Sequence, residues 1–216
     1  QGSGPVGGGE VLQPMEGGGA HVDIIGVSLV LPMGVTTLAA VGGLSHCGHD
    51  ALSEIPLARW DADQAAADLR GMPSAVLSRV RHGAFMQSAE LFDHGTFGIS
   101  AAEAAAMDPQ QRLLLEHGFA ALHIGGLDKA RLMGSIVAVN VGQWESEFSK
   151  VIDASPMARS VYASTGFSTA VTCGRVSFVL GVQGPCSSFN TACSASLVAN
   201  HSSLRALQRL ECEAAL

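Results

Sequence analysis

The feature that most constrains the fold is a strand-like run that leads directly into a helix-like run, with a cysteine at the junction. Residues 186–191 favour an extended conformation, and the small residues that follow continue as a helix through Leu210. The short turn between the two runs carries Cys193. A strand that turns at once into a helix is typical of layered α/β folds, and here it predicts that Cys193 lies at a helix N-terminus.

The chemistry open to Cys193 follows from this placement. The first backbone N–H groups of a helix have no partner within the helix, and the helix dipole favours an anion there, which for a cysteine is the thiolate. The neighbours are small enough to let a substrate approach, as at the nucleophile elbow of hydrolases; they are Ala192, Ser194, Ala195 and Ser196. We therefore predict a nucleophilic cysteine, with a buried and inert thiol as the alternative on residue type alone.

Other segments extend the α/β pattern. Residues 134–141 form an almost continuous apolar run, as expected of a central strand that is covered on both faces. Residues 167–180 have helical spacing and are closed by Gly181. Residues 23–30 favour a buried first strand. The order of these elements predicts an α/β fold built in layers.

Two helix starts are encoded in sequence. Ser100 followed three residues later by Glu103 has the form of a capping box. Asp108 and Pro109 supply an N-cap and a first-turn proline, with Gln111 at the third helical position. We expect two helices in succession.

Three charged residues on the predicted helices are interpreted as structural. Arg112 and Glu116 lie one helical turn apart, which favours an ion pair. Arg175 lies on the helix over 167–180, where we prefer an internal ion pair over a contact with a carrier phosphate.

Residues 24–49 contain no Asp, Glu, Lys or Arg, which is long enough in principle to span a bilayer. Pro32, the glycines Gly26, Gly34, Gly42 and Gly43, and the pair Thr36-Thr37 argue against a spanning helix. An apolar contact surface is the preferred interpretation.

Residues 45–50 bring His46, Cys47, His49 and Asp50 close together in sequence, and such residue types can bind a metal ion. No second pair of ligands lies at a recognised spacing, so we expect a loop and no metal site.

The amino-acid composition restricts the binding partners of the chain and the cellular compartment in which it works. The net charge of −7 without a basic cluster argues against binding to nucleic acid, and a charged fraction of only 14% predicts that much of the surface is covered by another molecule.

Five cysteines without regular spacing indicate reduced thiols, in the cytoplasm or an organelle matrix such as that of a plastid. Residues 1–21 are predicted to be a flexible, glycine-rich leader to a domain over 22–216.

Two blocks carry a resemblance to a known family. The nucleophile region over 174–185 and 190–199, and the block over 97–100 and 103–116 with its Asp-Pro-Gln-Gln-Arg run, resemble β-ketoacyl synthases, especially the ketosynthase domains of polyketide synthases. Weaker similarities lie at 53–56, 59–61 and 83–85. The resemblance runs from about residue 22 to residue 216, in family order, and implies the N-terminal half of a thiolase-like αβαβα fold.

The resemblance implies a role for Cys193 in fatty-acid or polyketide synthesis. The cysteine would accept an acyl group from the phosphopantetheine thioester of an acyl carrier protein, and a carbanion from a decarboxylated malonyl unit would then attack it. No bound cofactor is implied. The two active-site histidines, the lysine and a glycine-rich backbone donor of the family belong to a second half beyond Leu216. Each such group is typically worth a factor of about 10² to 10⁴ in rate.

The same resemblance implies partners. A second half, another copy or a larger assembly would cover the apolar core, and burying about 1,000 Å² is worth on the order of 25 kcal/mol gross. The family's dimer would place residues 186–190 at its interface. The alternative to a condensing enzyme is a catalytically silent structural subunit of a larger complex, with membrane contact through a partner. A thiolase or chalcone-synthase-like enzyme is a third hypothesis, disfavoured by the block over 103–116.

Overall fold

A parallel sheet of three strands, in the order β4-β3-β5, organises the molecule. The structure is a computed structural model that describes residues 21–64 and 71–216. The leader predicted for residues 1–21 therefore lies, apart from its last residue, outside the described part of the chain. The division into a leader and a domain stays a prediction.

The strands and helices of the described residues follow one another in this order: α1 Leu38–His46, β1 Ser53–Glu54, α2 Ser74–Arg79, β2 His82–Gly83, α3 Ala101–Ala106, α4 Pro109–Ile124, α5 Lys129–Leu132, β3 Val137–Gly142, α6 Phe148–Asp153, α7 Ala163–Gly166, α8 Thr169–Leu180, β4 Cys186–Phe189, α9 Ala195–Gln208 and β5 Ala214–Ala215. Short 3-10 turns occupy Pro32–Gly34, Pro156–Arg159 and Ala192–Ser194. Strands β1 and β2 form a separate antiparallel pair.

The predicted central strand is confirmed as β3, which lies between β4 and β5. Side chains along a strand point alternately to opposite faces. On one face, Val137, Val139 and Val141 join a buried core with α4 and α8. On the other, Ala138 packs with Ala206 of α9. The sheet is thus covered on both sides, which is the α/β arrangement that the sequence predicts.

The predicted helix starts are confirmed. Ser100 caps α3 by accepting a hydrogen bond of 3.1 Å from the backbone N–H of Glu103. Asp108 caps α4 by accepting from the N–H of Gln110 at 2.6 Å, and Pro109 is the first residue of that helix. These caps satisfy N–H groups that have no partner within the helix.

The end of α8 is also confirmed. Gly181 follows the helix with a φ of 73°, a left-handed conformation that a residue without Cβ adopts without strain.

The buried first strand predicted for residues 23–30 is wrong. This segment has no strand pairing, and Ile24 is 82% exposed. The segment lies instead against α4, where Gly26 leaves no room for a Cβ beside the carbonyl oxygen of Ala121. Ser28 and His117 share a hydrogen bond of 2.8 Å across the same contact. Residues 23–30 therefore contact the surface of α4 and do not pair with a sheet edge as predicted.

The uncharged segment over residues 24–49 contains the nine-residue helix α1, which has no buried residue. In the described part of the chain, no helix combines the length and the apolar character that crossing a bilayer requires.

The ion pair predicted between Arg112 and Glu116 is wrong. Arg112 instead donates to the carbonyl oxygen of Glu90 at 3.0 Å, and Glu116 accepts from the N–H of Asp93 at 3.2 Å. Both side chains bind the loop that precedes α3, because its unpaired backbone groups lie alongside α4. Burial lowers the pKa of Arg112, and the nearby carboxylates oppose that shift.

The internal ion pair predicted for Arg175 is confirmed. Its guanidinium binds the carboxylate of Glu103, which joins α8 to α3.

Several large apolar side chains lie bare on the two helices that flank β4. Phe178 of α8 is 87% exposed and Leu197 of α9 is 72% exposed. Apolar exposure of this extent is typical of a surface that another polypeptide covers.

Candidate active site

The turn between β4 and α9 presents Cys193 at the surface. Strand β4 ends at Phe189, a 3-10 turn occupies Ala192–Ser194, and α9 begins at Ala195. Cys193 is exposed. The predicted strand–turn–helix elbow is therefore present, with the strand two residues shorter than expected and one extra turn before the helix.

The elbow is held by its own side chains. The hydroxyl of Ser194 donates at 2.8 Å to the carbonyl oxygen of Thr191 and lies 3.0 Å from the Thr191 hydroxyl. Ala192, directly before the cysteine, has a φ of 55°. A left-handed conformation at a residue with a side chain is strained, and such strain persists where the surrounding structure imposes it.

Cys193 itself carries a free backbone donor. As the second residue of a 3-10 turn it has an N–H without a partner inside that turn, whereas the N–H groups of Ser194 and Ala195 bond to the carbonyl oxygens of Thr191 and Ala192. Donors of this kind can stabilise the oxyanion of a tetrahedral intermediate. The arrangement suits acyl transfer to sulfur.

The helix that follows Cys193 rests on β3. A Cβ on Gly142 would lie within 2.5 Å of the Cα of Ser196, so the strand and the start of the helix touch backbone to backbone. Farther along, Asn140 donates from Nδ2 to the Ser203 hydroxyl at 3.0 Å. We call Ala138, Asn140 and Gly142 the small-residue face of β3.

This face was not predicted. Residues 134–141 read as an almost continuous apolar run, whereas the strand alternates Val-Ala-Val-Asn-Val-Gly. The period of two, with a large residue always followed by a small or polar one, is the signal that would have found it.

None of the eight histidines, all of which lie in the described part of the chain, makes a hydrogen bond or ion pair with Cys193. His201 is on α9, two turns beyond the cysteine, and is exposed. His82, His94 and His117 bind the Ser78 carbonyl, the Ile99 carbonyl and the Ser28 hydroxyl instead.

The residues considered as metal ligands in the sequence lie around the end of α1. Across residues 21–64 and 71–216, no group of three or more His, Cys, Asp or Glu side chains is arranged to hold a metal ion. His46 ends α1 and Cys47 follows it as an exposed thiol.

A groove of about 540 Å³ lies away from the elbow. Val30, Leu91, Phe92 and Leu113 give it an apolar wall, and Glu116 and His117 lie beside them. It contains neither a cysteine nor the end of a long helix, so it offers no chemistry comparable to that of the elbow.

All five cysteines, each in the described part of the chain, are free thiols. Burial, and then the neighbouring Cys173 thiol, raise the pKa of Cys186. Burial also raises the pKa of Cys212, which is 6% exposed. Both groups are thereby less nucleophilic near neutral pH.

Comparison with known proteins connects this elbow to a family. Residues 20–216 match the sequence model described as Beta-ketoacyl synthase, N-terminal domain. Among curated proteins, polyketide synthase GfsB of Streptomyces halstedii is 40% identical over 196 residues, and the spectinabilin polyketide synthase system protein NorC of Streptomyces orinoci is 38% identical over 199 residues. These alignments cover 90% and 92% of this chain but only 4% and 9% of the relatives.

Solved structures similar to this chain are also ketosynthases. The ketosynthase from module 6 of the bacillaene synthase of Bacillus subtilis 168 aligns with a TM-score of 0.71 at 28% identity, over 88% of this chain and 30% of that one. The oxazolomycin ketosynthase domain OzmH KS7 of Streptomyces albus JA3453 gives the same TM-score at 30% identity, over 88% and 34%. The chain thus spans about a third of the length of these solved chains. The resemblance inferred from the two sequence blocks and the expected thiolase-like fold are confirmed.

Proposed function

The chain belongs to the β-ketoacyl synthase family, in the part described as its N-terminal domain, and on that premise we propose that Cys193 accepts the acyl group in a decarboxylative condensation of polyketide synthesis. The single observation that carries the proposal is the exposed thiol at an elbow between β4 and α9, on a residue whose own backbone N–H has no partner in the 3-10 turn. The similarity to polyketide synthases supports it.

The first step is an acyl transfer between sulfurs. The Cys193 sulfur attacks the carbonyl carbon of an acyl thioester, a new C–S bond forms, and the donor's C–S bond breaks. The leaving thiol takes up the proton that Cys193 releases. The backbone N–H of Cys193 stabilises the negative charge that develops on the carbonyl oxygen.

The second step forms the carbon–carbon bond. A malonyl thioester loses CO₂, and the resulting carbanion attacks the carbonyl of the Cys193 thioester. The C–S bond to Cys193 breaks and the thiol is restored by a proton. By the family resemblance, two histidines and a lysine of a second half would promote decarboxylation, and this chain's contribution is the acylated elbow.

The partners proposed are those that this chemistry requires. An acyl carrier protein would deliver phosphopantetheine thioesters as substrates. A C-terminal half or another chain would cover the exposed Phe178 and Leu197. A homodimer would use β4, which in the described sheet pairs on one side only, with β3. The five free thiols support a reducing compartment, either the cytoplasm or an organelle matrix.

The alternative, a catalytically silent structural subunit, is not favoured. The relatives are described as synthases, and the elbow around Cys193 is intact.

The proposal is tested by acylation of the chain with a short acyl thioester of N-acetylcysteamine, followed by peptide mass mapping. We expect the acyl group on Cys193 in preference to Cys47, which is equally an exposed thiol but follows the short helix α1. A Cys193→Ala variant is the control and is expected to leave only slow labelling. Equal acylation of Cys47 and Cys193 would overturn the proposal.

A further inference from the structure

We propose that Gly142 is a positioning residue for Cys193: its missing side chain lets the first turn of α9 rest directly on the end of β3, and this contact fixes the elbow. The inference rests on the proposed function and adds a residue to it. Gly142 does not touch the sulfur and acts through the backbone that carries it.

The contact is made entirely by backbone atoms. A Cβ on Gly142 would lie 2.5 Å from both the carbonyl carbon of Ala195 and the Cα of Ser196, and closer still to the Ser196 nitrogen. None of these atoms belongs to a flexible side chain that could rotate away. Because non-bonded carbon atoms rest about 3.5 Å apart or more, any side chain at residue 142 would move the helix start by about 1 Å.

The rest of the small-residue face of β3 supports the same arrangement. Ala138 is fully buried, and Asn140 holds α9 through the bond of 3.0 Å to Ser203. Gly142 is the last residue of the strand, and Cys193 lies only two residues before α9 begins. A displacement of the helix start is therefore passed directly to the cysteine and to its own backbone N–H.

The position of the Cys193 N–H matters for acyl transfer but not for simple alkylation. Acyl transfer passes through a tetrahedral oxyanion that needs aligned donors. Attack of a thiol on iodoacetamide displaces iodide at a saturated carbon and needs only an accessible sulfur. The ratio of the two rates at Cys193 therefore reports the geometry of the elbow rather than the exposure of the thiol.

The experiment compares the unsubstituted chain with Gly142→Ala. Acylation by an acyl-N-acetylcysteamine and alkylation by iodoacetamide are both followed at Cys193 by peptide mass mapping. We expect acylation to fall about 100-fold, as a misplacement of about 1 Å can cost, while alkylation changes less than about threefold. Acylation within about threefold of the unsubstituted chain, in a folded variant, would overturn the inference.

A matched control separates positioning from general damage. Gly184→Ala places a Cβ 2.2 Å from the carbonyl oxygen of Val137, a backbone clash at least as severe, at the opposite end of β3. We expect this variant to lose thermal stability and keep the ratio of acylation to alkylation. A fall in that ratio as large as for Gly142→Ala would count against a specific role.

A second variant decides the case if Gly142→Ala lacks the helical circular dichroism of the unsubstituted chain. Ser203→Ala removes the hydrogen bond between α9 and Asn140 of β3 without adding atoms. We expect acylation to fall about fivefold, the effect of one hydrogen bond, with alkylation unchanged; an unchanged ratio then overturns the inference. Failure of the unsubstituted chain to acylate Cys193 would instead overturn the proposed function.

Discussion

Arg175 of α8 binds the carboxylate of Glu103 on α3 across the interior of the protein. The Arg175 side chain is 8% exposed and the Glu103 side chain 25% exposed. The pair joins the helix packed on the valine face of β3 to the short helix that precedes α4. Removing one partner of such a pair leaves the other charge buried without compensation.

We therefore expect Glu103→Ala to lower the free energy of unfolding by about 3 kcal/mol. The measurement is unfolding by urea followed by circular dichroism. The double variant Glu103→Leu/Arg175→Met is the control, since it removes both charges and keeps apolar volume. We expect it to recover at least half of the loss, and a double variant as unstable as the single one would contradict this.

Ser194→Ala should slow acylation of Cys193 about fivefold, because it removes the hydroxyl that bonds to Thr191 across the elbow. Alkylation of Cys193 by iodoacetamide should stay unchanged. Both rates are measured by peptide mass mapping. Ser202→Ala, on α9 but two turns past the elbow, is the matched control and should behave like the unsubstituted chain.

Stability should fall as pH rises above about 9, because burial raises the pKa of Cys212 above its ordinary value of 9.0. The folded state then holds its proton where the unfolded state has lost it, so stability present below pH 9 is lost as pH rises through the folded pKa. Cys212→Ala should flatten the dependence of the melting temperature on pH between pH 8 and pH 10.5, about 1 unit below and about 1.5 units above the ordinary thiol value of 9.0.

Cys47→Ala is the control for this titration, since it removes an exposed thiol. A flattening of the same size in Cys47→Ala would show that the loss does not arise at Cys212.

Gly26→Ala should lower the free energy of unfolding by about 2 kcal/mol, because its Cβ would collide with the backbone of α4 at Ala121 and Gly125. Gly42→Ala is the matched control. Gly42 lies inside α1 with open space around it, so alanine there should stabilise the chain by up to about 1 kcal/mol. Urea unfolding of both variants measures the difference, and equal effects would contradict the contact between Gly26 and α4.

The parts of the fold predicted from sequence are those with a local cause. Ser100 and Asp108 cap the helices that follow them because a side-chain oxygen can reach the next backbone N–H groups. Gly181 ends α8 because the left-handed conformation is easy for glycine. The elbow at Cys193 is equally local, since a strand-like run adjoins a helix-like run.

The parts predicted wrongly were decided at long range. Residues 23–30 could pair as a strand only with a free sheet edge. The segment contacts α4 instead. Arg112 and Glu116 have the right spacing for an ion pair, yet each forms a hydrogen bond with the backbone of the loop that precedes α3. The predicted helix end at Leu210 also failed, because α9 stops at Gln208 and Leu210 turns left-handed before β5.

The importance of Gly142 was not predicted because a glycine at a strand end has many explanations in sequence. Only the position of Ser196, 54 residues later in the chain, shows which one applies.

The alternation along β3 places opposite size limits on adjacent residues of one short segment. At Val137, Val139 and Val141 another aliphatic residue of similar bulk is an acceptable replacement, whereas at Ala138 and Gly142 even one added methyl group is a burden. We therefore expect substitutions among related sequences to alternate along this strand. They should be more frequent at the positions that face α4 and α8 than at the positions that face α9.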